Sequence, residues 1–224
     1  MNPLTMEEER MSPKNASPQL ANVIMLGAAW GLAEAGLGLG LKQCASLASG
    51  SIMTGVALLF MASAWVLTRR FLGIALMVCL VTLIKLFDAL LLSLPVKHGA
   101  VANPIFAFWM EALAFLLVIA VIRESLAQKR TGQAALGAGA ALLAVNLFPL
   151  VKFATGIPAC VYAGTGYPLS LYYAPVSIGL SMLTVPAGFW LGERIAAREK
   201  AHEAFIRGRV FRYWLSPAAV AISL

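Results

Sequence analysis

Charge is scarce in this sequence. Charged residues make up 12% of the 224-residue chain, against roughly 25% in soluble domains. Hydrophobic residues reach 60%, a surplus that one soluble core cannot absorb and that marks a membrane domain. Histidine is scarcer still. His98 and His202 fall outside the apolar runs, which leaves no basis for a histidine-based metal site or a catalytic triad. Cys44, Cys79 and Cys160 are too few and too scattered for a disulfide framework or a zinc site, so no metal and no cofactor are expected. No Gly-x-x-x-x-Gly-Lys-Ser/Thr phosphate loop is present, and any ATP-driven step is expected from partners. Residues 1–20 are polar, with Glu7, Glu8, Glu9, Pro13 and Pro18, and lack a basic segment followed by an apolar core. A short disordered cytoplasmic tail is therefore expected there, with no cleavable signal peptide.

What the sequence does have is apolar length. A membrane helix needs about 20 mostly apolar residues, and six such runs are found at 20–41, 51–67, 71–94, 104–122, 134–152 and 169–191. The net charge of +7 could suggest a nucleic-acid partner, but the basic residues sit in short connections between apolar runs and none is expected. Arg10, Lys14, Arg69, Arg70, Arg123, Lys129, Arg130 and the basic residues after position 193 fall on one face, against Lys42, Lys97 and Lys152 on the other. The positive-inside rule then places both termini in the cytoplasm. The expected fold is an all-α polytopic membrane protein of the cell inner membrane with six transmembrane helices. It divides into a tail at 1–19, the membrane domain at 20–192 and a basic amphipathic cytoplasmic tail at 193–224, where Glu203 and Arg207 take the favourable acid-first i,i+4 order. Phe205, Ile206, Phe211, Tyr213 and Trp214 would anchor this tail if it lies on the membrane.

The connections differ between the faces. The inward turn at 68–70 is very short, whereas the outward segments 42–50, 95–103 and 155–168 are rich in Gly, Pro, Ser and Tyr. Any lid is expected on the outside, the longest candidate being 156–168. Cys44 and Cys160 both fall on that side, and spacing leaves their pairing open.

Within the apolar runs stand groups that are costly in lipid, by about 2.5–3.5 kcal/mol at mid-membrane even on insertion scales. They are Glu34 in the first run, Lys85 and Asp88 in the third and Glu111 in the fourth. With alternating directions, all four fall in the outer half of the bilayer, as does Asn146 in the fifth run. Lys85 and Asp88, at i,i+3, can neutralise each other; Glu34 and Glu111 then require a proton, another partner or a cationic ligand. Trp30, Trp109 and Phe106 flank the acids and offer stacking surfaces for a flat heterocycle. Intramembrane ionisable groups read as a ligand or ion site, with structural ion pairing as the bland alternative. The expected substrate-binding set is Glu34, Lys85, Asp88, Glu111, Asn146, Trp30 and Trp109.

Small residues mark close helix approach. Gly27, Gly31 and Ala35 follow small-xxx-small spacing, as do Gly36 and Gly40; Ala29 and Ala33 form an AxxxA pair, and Gly137 with Ala141 offers a second face as an internal partner. The six runs, the Ala29–Ala33 pair, Lys85 and the stretch from Asn103-Pro104 to Glu111 together resemble a substrate-binding S-component of the energy-coupling factor transporters. That resemblance implies high-affinity capture of a vitamin, precursor or metal ion from outside, followed by toppling on a transmembrane coupling subunit that carries two ATPases. It further implies that Ala29 and Ala33 face the coupling subunit. The charged residues themselves allow other classes. A proton- or ion-coupled secondary carrier would cycle Glu34, Glu111 and the Lys85–Asp88 pair through protonation. A membrane-embedded enzyme, or a subunit of a larger membrane complex, is the third class. No nucleophile with a base stands out in the sequence, so an enzyme is not expected. The partners expected are a small-molecule substrate, membrane lipid, and the coupling subunit with its ATPase pair.

Overall fold

The computed structural model describes residues 13–40, 47–122, 127–156, 159, 161 and 163–222. These form an all-α membrane protein with six helices long and apolar enough to span a bilayer. The spanning helices are α1 (Pro13–Gly40), α2 (Leu47–Thr68), α3 (Phe71–Leu91), α4 (Gly99–Val121) and α5 (Arg130–Leu147), with the sixth following a one-turn 3-10 segment (Phe148–Leu150) and the short α6 (Val151–Thr155). That sixth spanning helix is α7 (Leu169–Ile222). The one strand-like pairing among the described residues is an isolated antiparallel bridge between Val161 and Pro168.

Element ends follow local chemistry. α1 begins at Pro13, ahead of the start at residue 20 expected from hydropathy, because a polar first turn can be helical while remaining outside the apolar layer. α4 begins before Pro104, at Gly99, where the exposed His98 accepts a hydrogen bond from the Ala100 amide at 3.2 Å as an N-cap. The α2–α3 turn is as tight as its length predicts. Arg69 takes a left-handed conformation (φ 51°) and the Thr68 hydroxyl donates back to the Ala64 carbonyl at 2.8 Å. α5 tightens to 3-10 geometry at Pro149, which has no amide hydrogen to continue the α ladder. α6 ends on Gly156 at φ 75°, a conformation that costs glycine nothing.

The spanning helices close a ring in the order α1, α2, α7, α5, α4, α3 and back to α1, while α2 also touches α3, α4 and α5 across it. Burial agrees, since 56% of the most apolar stretch of α2 is inside the protein against 28–39% for the other five. The core is formed by Trp30, Leu58, Met61, Met77, Phe108, Phe115, Leu136 and Phe189. Leu32, Leu83, Leu90, Val121 and Leu183 stand on the outside at 62–83% exposure, an apolar surface far beyond what a soluble monomer tolerates and fitting for lipid.

Glycines set how closely the helices approach. A Cβ on Gly188 would collide with the Leu59 carbonyl, and one on Gly192 would lie 2.7 Å from the Ser63 carbonyl, so α7 lies backbone to backbone along α2. The single Ser63 hydroxyl hydrogen lies within reach of Gly188 O across the seam at 3.0 Å and of Leu59 O in its own helix at 2.9 Å. Gly137 packs against the Ser181 carbonyl of α7. Its partner is therefore α7 and not the glycine face of α1, whose Gly27 and Gly31 receive the side chains of Leu80 and Ile84 from α3. α7 runs without a break to Ile222, a contour of roughly 80 Å at about 1.5 Å per residue, well beyond a hydrocarbon layer of about 30 Å. The 193–224 tail thus continues the sixth spanning helix as far as Ile222. Near the membrane exit Asn22 of α1 donates to Glu199 of α7 at 3.0 Å.

Candidate functional site

On α1 the buried face carries Gly27, Trp30, Gly31 and Glu34, while Ala29, Leu32 and Gly36 face outward. The two glycines admit α3 so closely that Leu80 and Ile84 fill the space over them. The next turn of α3 then brings Lys85 and Asp88 into electrostatic contact with Glu34. Lys85 Nζ lies 3.8 Å from Asp88 Oδ2, a loose pair beside a carboxylate that competes for the same ammonium.

The second acid enters from the opposite wall. Glu111 on α4 is as buried as Glu34, each 6% exposed. Glu111 interacts electrostatically with Glu34 and accepts a hydrogen bond from the Thr54 side chain of α2. Tyr173 of α7 is in electrostatic contact with Glu111. Its ring rests against Gly50, where any side chain would displace it, and its carbonyl accepts from the Ser51 hydroxyl at 3.2 Å. Trp30 meets Phe108 edge to face at a centroid distance of 5.4 Å. Phe108 and Glu111 share a face of α4 at i,i+3, as Trp30 and Glu34 share one of α1 at i,i+4, so an aromatic and an acid from each helix fall in one layer.

This layer is short of partners. Three carboxylates, Glu34, Asp88 and Glu111, face one ammonium, Lys85. Glu34 Oε2 and Trp30 Nε1 are buried with no hydrogen-bond partner. An unpaired buried polar group typically costs about 1–3 kcal/mol, more when charged. Such groups persist where a ligand, an ion or water completes them. Among the described residues no three His, Cys, Asp or Glu side chains gather tightly enough to hold a metal ion. Glu34 and Glu111 are near enough to interact electrostatically.

Of the seven residues expected to bind, Glu34, Lys85, Asp88, Glu111 and Trp30 belong to this layer. Trp109 does not. It is 40% exposed on the lipid side of α4, because two positions along a helix from Glu111 is roughly 200° of rotation; the aromatic that faces inward is its neighbour Phe108. Asn146 is exposed too, its amide donating at 2.7 Å to the Leu142 carbonyl of its own helix. Phe106 packs instead near Phe148, at 6.4 Å between centroids. Lys152 is exposed, and Cys79 is a free thiol on the outer surface of α3. Cys44 and Cys160 lie outside the described residues, as does Tyr162 in the external segment.

Thr54, Phe108 and Tyr173 were not singled out from the sequence. Being neutral and inside apolar runs, they carry no distinguishing mark, and only the packing of α2 and α7 against Glu111 reveals them. The same holds for Ser170, Ser177, Ser181 and Thr184, which share one face of α7 and have unpaired buried hydroxyls.

Comparison with known protein families, curated proteins and solved structures returns no match. The fold and its lipid-facing surface define the class, a polytopic helical membrane protein with a polar layer inside its bundle.

Proposed function

We propose that this protein is the membrane-embedded, substrate-binding subunit of an uptake system for a small cationic or zwitterionic heterocyclic nutrient. The single observation that carries the reading is the gathering of Glu34, Lys85, Asp88 and Glu111 from three helices into one layer with more carboxylates than cations. A positively charged or hydrogen-donating ligand would complete that layer. The aromatic rings of Trp30 and Phe108, which meet edge to face beside the acids, favour an organic cation. In this reading Glu34 and Glu111 contact the positive or donating groups, and Lys85 with Asp88 fixes a polar edge. Thr54 and Tyr173 orient Glu111.

The resemblance to energy-coupling factor S-components extends the proposal to partners and membrane. Ala29 lies on the outer surface of α1 and Ala33 is half-buried beside it, a placement suited to docking a transmembrane coupling subunit with an ATPase pair in the inner membrane. The chain itself would act as a transport protein and catalyse no reaction. The distribution of basic residues supports an orientation in which the site lies in the outer, extracytoplasmic half.

Purification of the chain alone, followed by mass spectrometry of any small molecule retained, tests the reading. A retained organic cation that is lost in Glu111→Gln and weakened in Asp88→Asn is expected, together with co-purification of an ATPase pair from the source membrane. One observation favours a second reading, a proton-coupled carrier: Glu34 and Glu111 lie in mutual electrostatic contact with a single ammonium nearby. Proton flux in proteoliposomes, with no retained ligand and no ATPase partner, would select it.

A further inference from the structure

Two of the unpaired atoms in the layer are complementary to each other's function and belong to one helix face. Trp30 Nε1 can only donate; Glu34 Oε2, in its ionised form, can only accept. Both are buried without a partner, on side chains one turn apart, whose Cβ atoms are about 5–6 Å from each other. Neither satisfies the other in this arrangement. The fully buried Trp30 ring is confined by its T-shaped contact with Phe108 and by the close packing of α3 over Gly27 and Gly31. Glu34 interacts electrostatically with Lys85, Asp88 and Glu111. An unpaired donor and an unpaired acceptor one turn apart on the same helix face match a ligand edge that has an acceptor beside a donor.

Resting on the binding-subunit reading above, we propose that Trp30 and Glu34 together read one edge of a planar nitrogen heterocycle. The ring nitrogen or carbonyl accepts from the Trp30 indole N–H while the adjacent amino or ring N–H donates to Glu34. Aminopyrimidines, cyclic amidines and cyclic amides have this edge. A simple quaternary ammonium, which has neither donor nor acceptor, lacks it. Glu111 remains available for a positive charge elsewhere on the same molecule. Trp30 is thus a specificity-determining residue, and Glu34 is its partner in recognition.

The test compares 4-aminopyrimidine, whose amino group adjoins a ring nitrogen, with 5-aminopyrimidine, whose amino group does not, using the full chain in nanodiscs and calorimetric titration. The 4-amino isomer is expected to bind at least about 10-fold more tightly, as when one buried hydrogen bond is gained or lost. Trp30→Phe, which keeps a ring and removes the donor, is expected to abolish that preference. A preference due only to the greater basicity of the 4-amino isomer would survive in Trp30→Phe and would overturn the proposal. Should Trp30→Phe fail to fold, the 15N-indole resonance of Trp30 decides, in a chain with Trp65, Trp109, Trp190 and Trp214 each replaced by Phe. A downfield shift of its N–H proton with 4-aminopyrimidine and none with the 5-isomer supports the edge, and an unmoved resonance refutes it. Equal binding of both isomers that is still lost in Glu111→Gln would sink the edge while leaving the binding-subunit reading intact. Absence of binding by either isomer, with no molecule retained by the purified chain, would remove both.

Discussion

The seam between α2 and α7 and the layer around Glu34 lie in the same bundle and are built on opposite terms. Along the seam, Gly188 and Gly192 bring backbone onto backbone and the Ser63 hydroxyl reaches the Gly188 carbonyl across it, so the two helices touch with no side chain between them at those points. Around Glu34 the helices meet through side chains, and charged or polar atoms are left without partners. Helix association in a membrane depends on packing and polar contacts, without the hydrophobic drive of water. A protein of this kind needs seams of the first sort to hold together a layer of the second. The difference teaches where stability and function are separable: the seam holds the helices together, while the layer carries unpaired buried polar atoms at a cost to the fold.

Substitutions should divide along that line. The largest effect is expected for Gly188→Leu, whose side chain has to displace the Leu59 carbonyl; loss of the folded protein in detergent, measured by size-exclusion chromatography after mild heating, is the expected outcome. Even Gly188→Ala should destabilise by about 1–3 kcal/mol. Gly36→Ala, with nothing within 4 Å of the new atom, should be neutral or gain about 0.5–1 kcal/mol.

Next comes the layer, where the sign reverses. Glu111→Gln should weaken cation binding by at least about 30-fold and raise the Tm of the ligand-free protein, because an uncompensated buried acid is replaced by a neutral amide of the same shape. A fall in Tm would place Glu111 with the structural seam. Asp88→Asn should weaken binding by about 5-fold or less, since the Lys85–Asp88 pair is long and partly exposed. Smallest of all, Trp109→Ala and Asn146→Ala should change binding by no more than about 0.5 kcal/mol, measured by titration, because both face away from the layer.

The six spans were legible because about 20 apolar residues in a row have few other homes, and four of the ionisable groups declared themselves by being costly there. Helical phase was the harder reading. Sequence points to Trp109 as the aromatic beside Glu111, whereas Phe108 is the one that faces inward, a shift of one residue that turns a side chain by roughly 100°. Asn146, next to the buried Val145, is exposed on α5 and bonds its own helix. Gly137 was correctly read as a point of close approach, but its partner is Ser181 of α7. Spacing within one helix cannot say which other helix fills the groove. Thr54 and Tyr173 illustrate the remaining gap, since a neutral hydroxyl inside an apolar run becomes informative only when its neighbour across the bundle is known.

The central claim is that Glu34 and Glu111 belong to one site, and a double-mutant cycle on ligand affinity tests it most directly. With Glu34→Gln, Glu111→Gln and the pair, titrated with the cation retained by the unsubstituted protein, the account predicts strong non-additivity, each single change causing most of the loss seen in the double. Independent, additive losses, or a double variant that binds as tightly as the original protein, would contradict it.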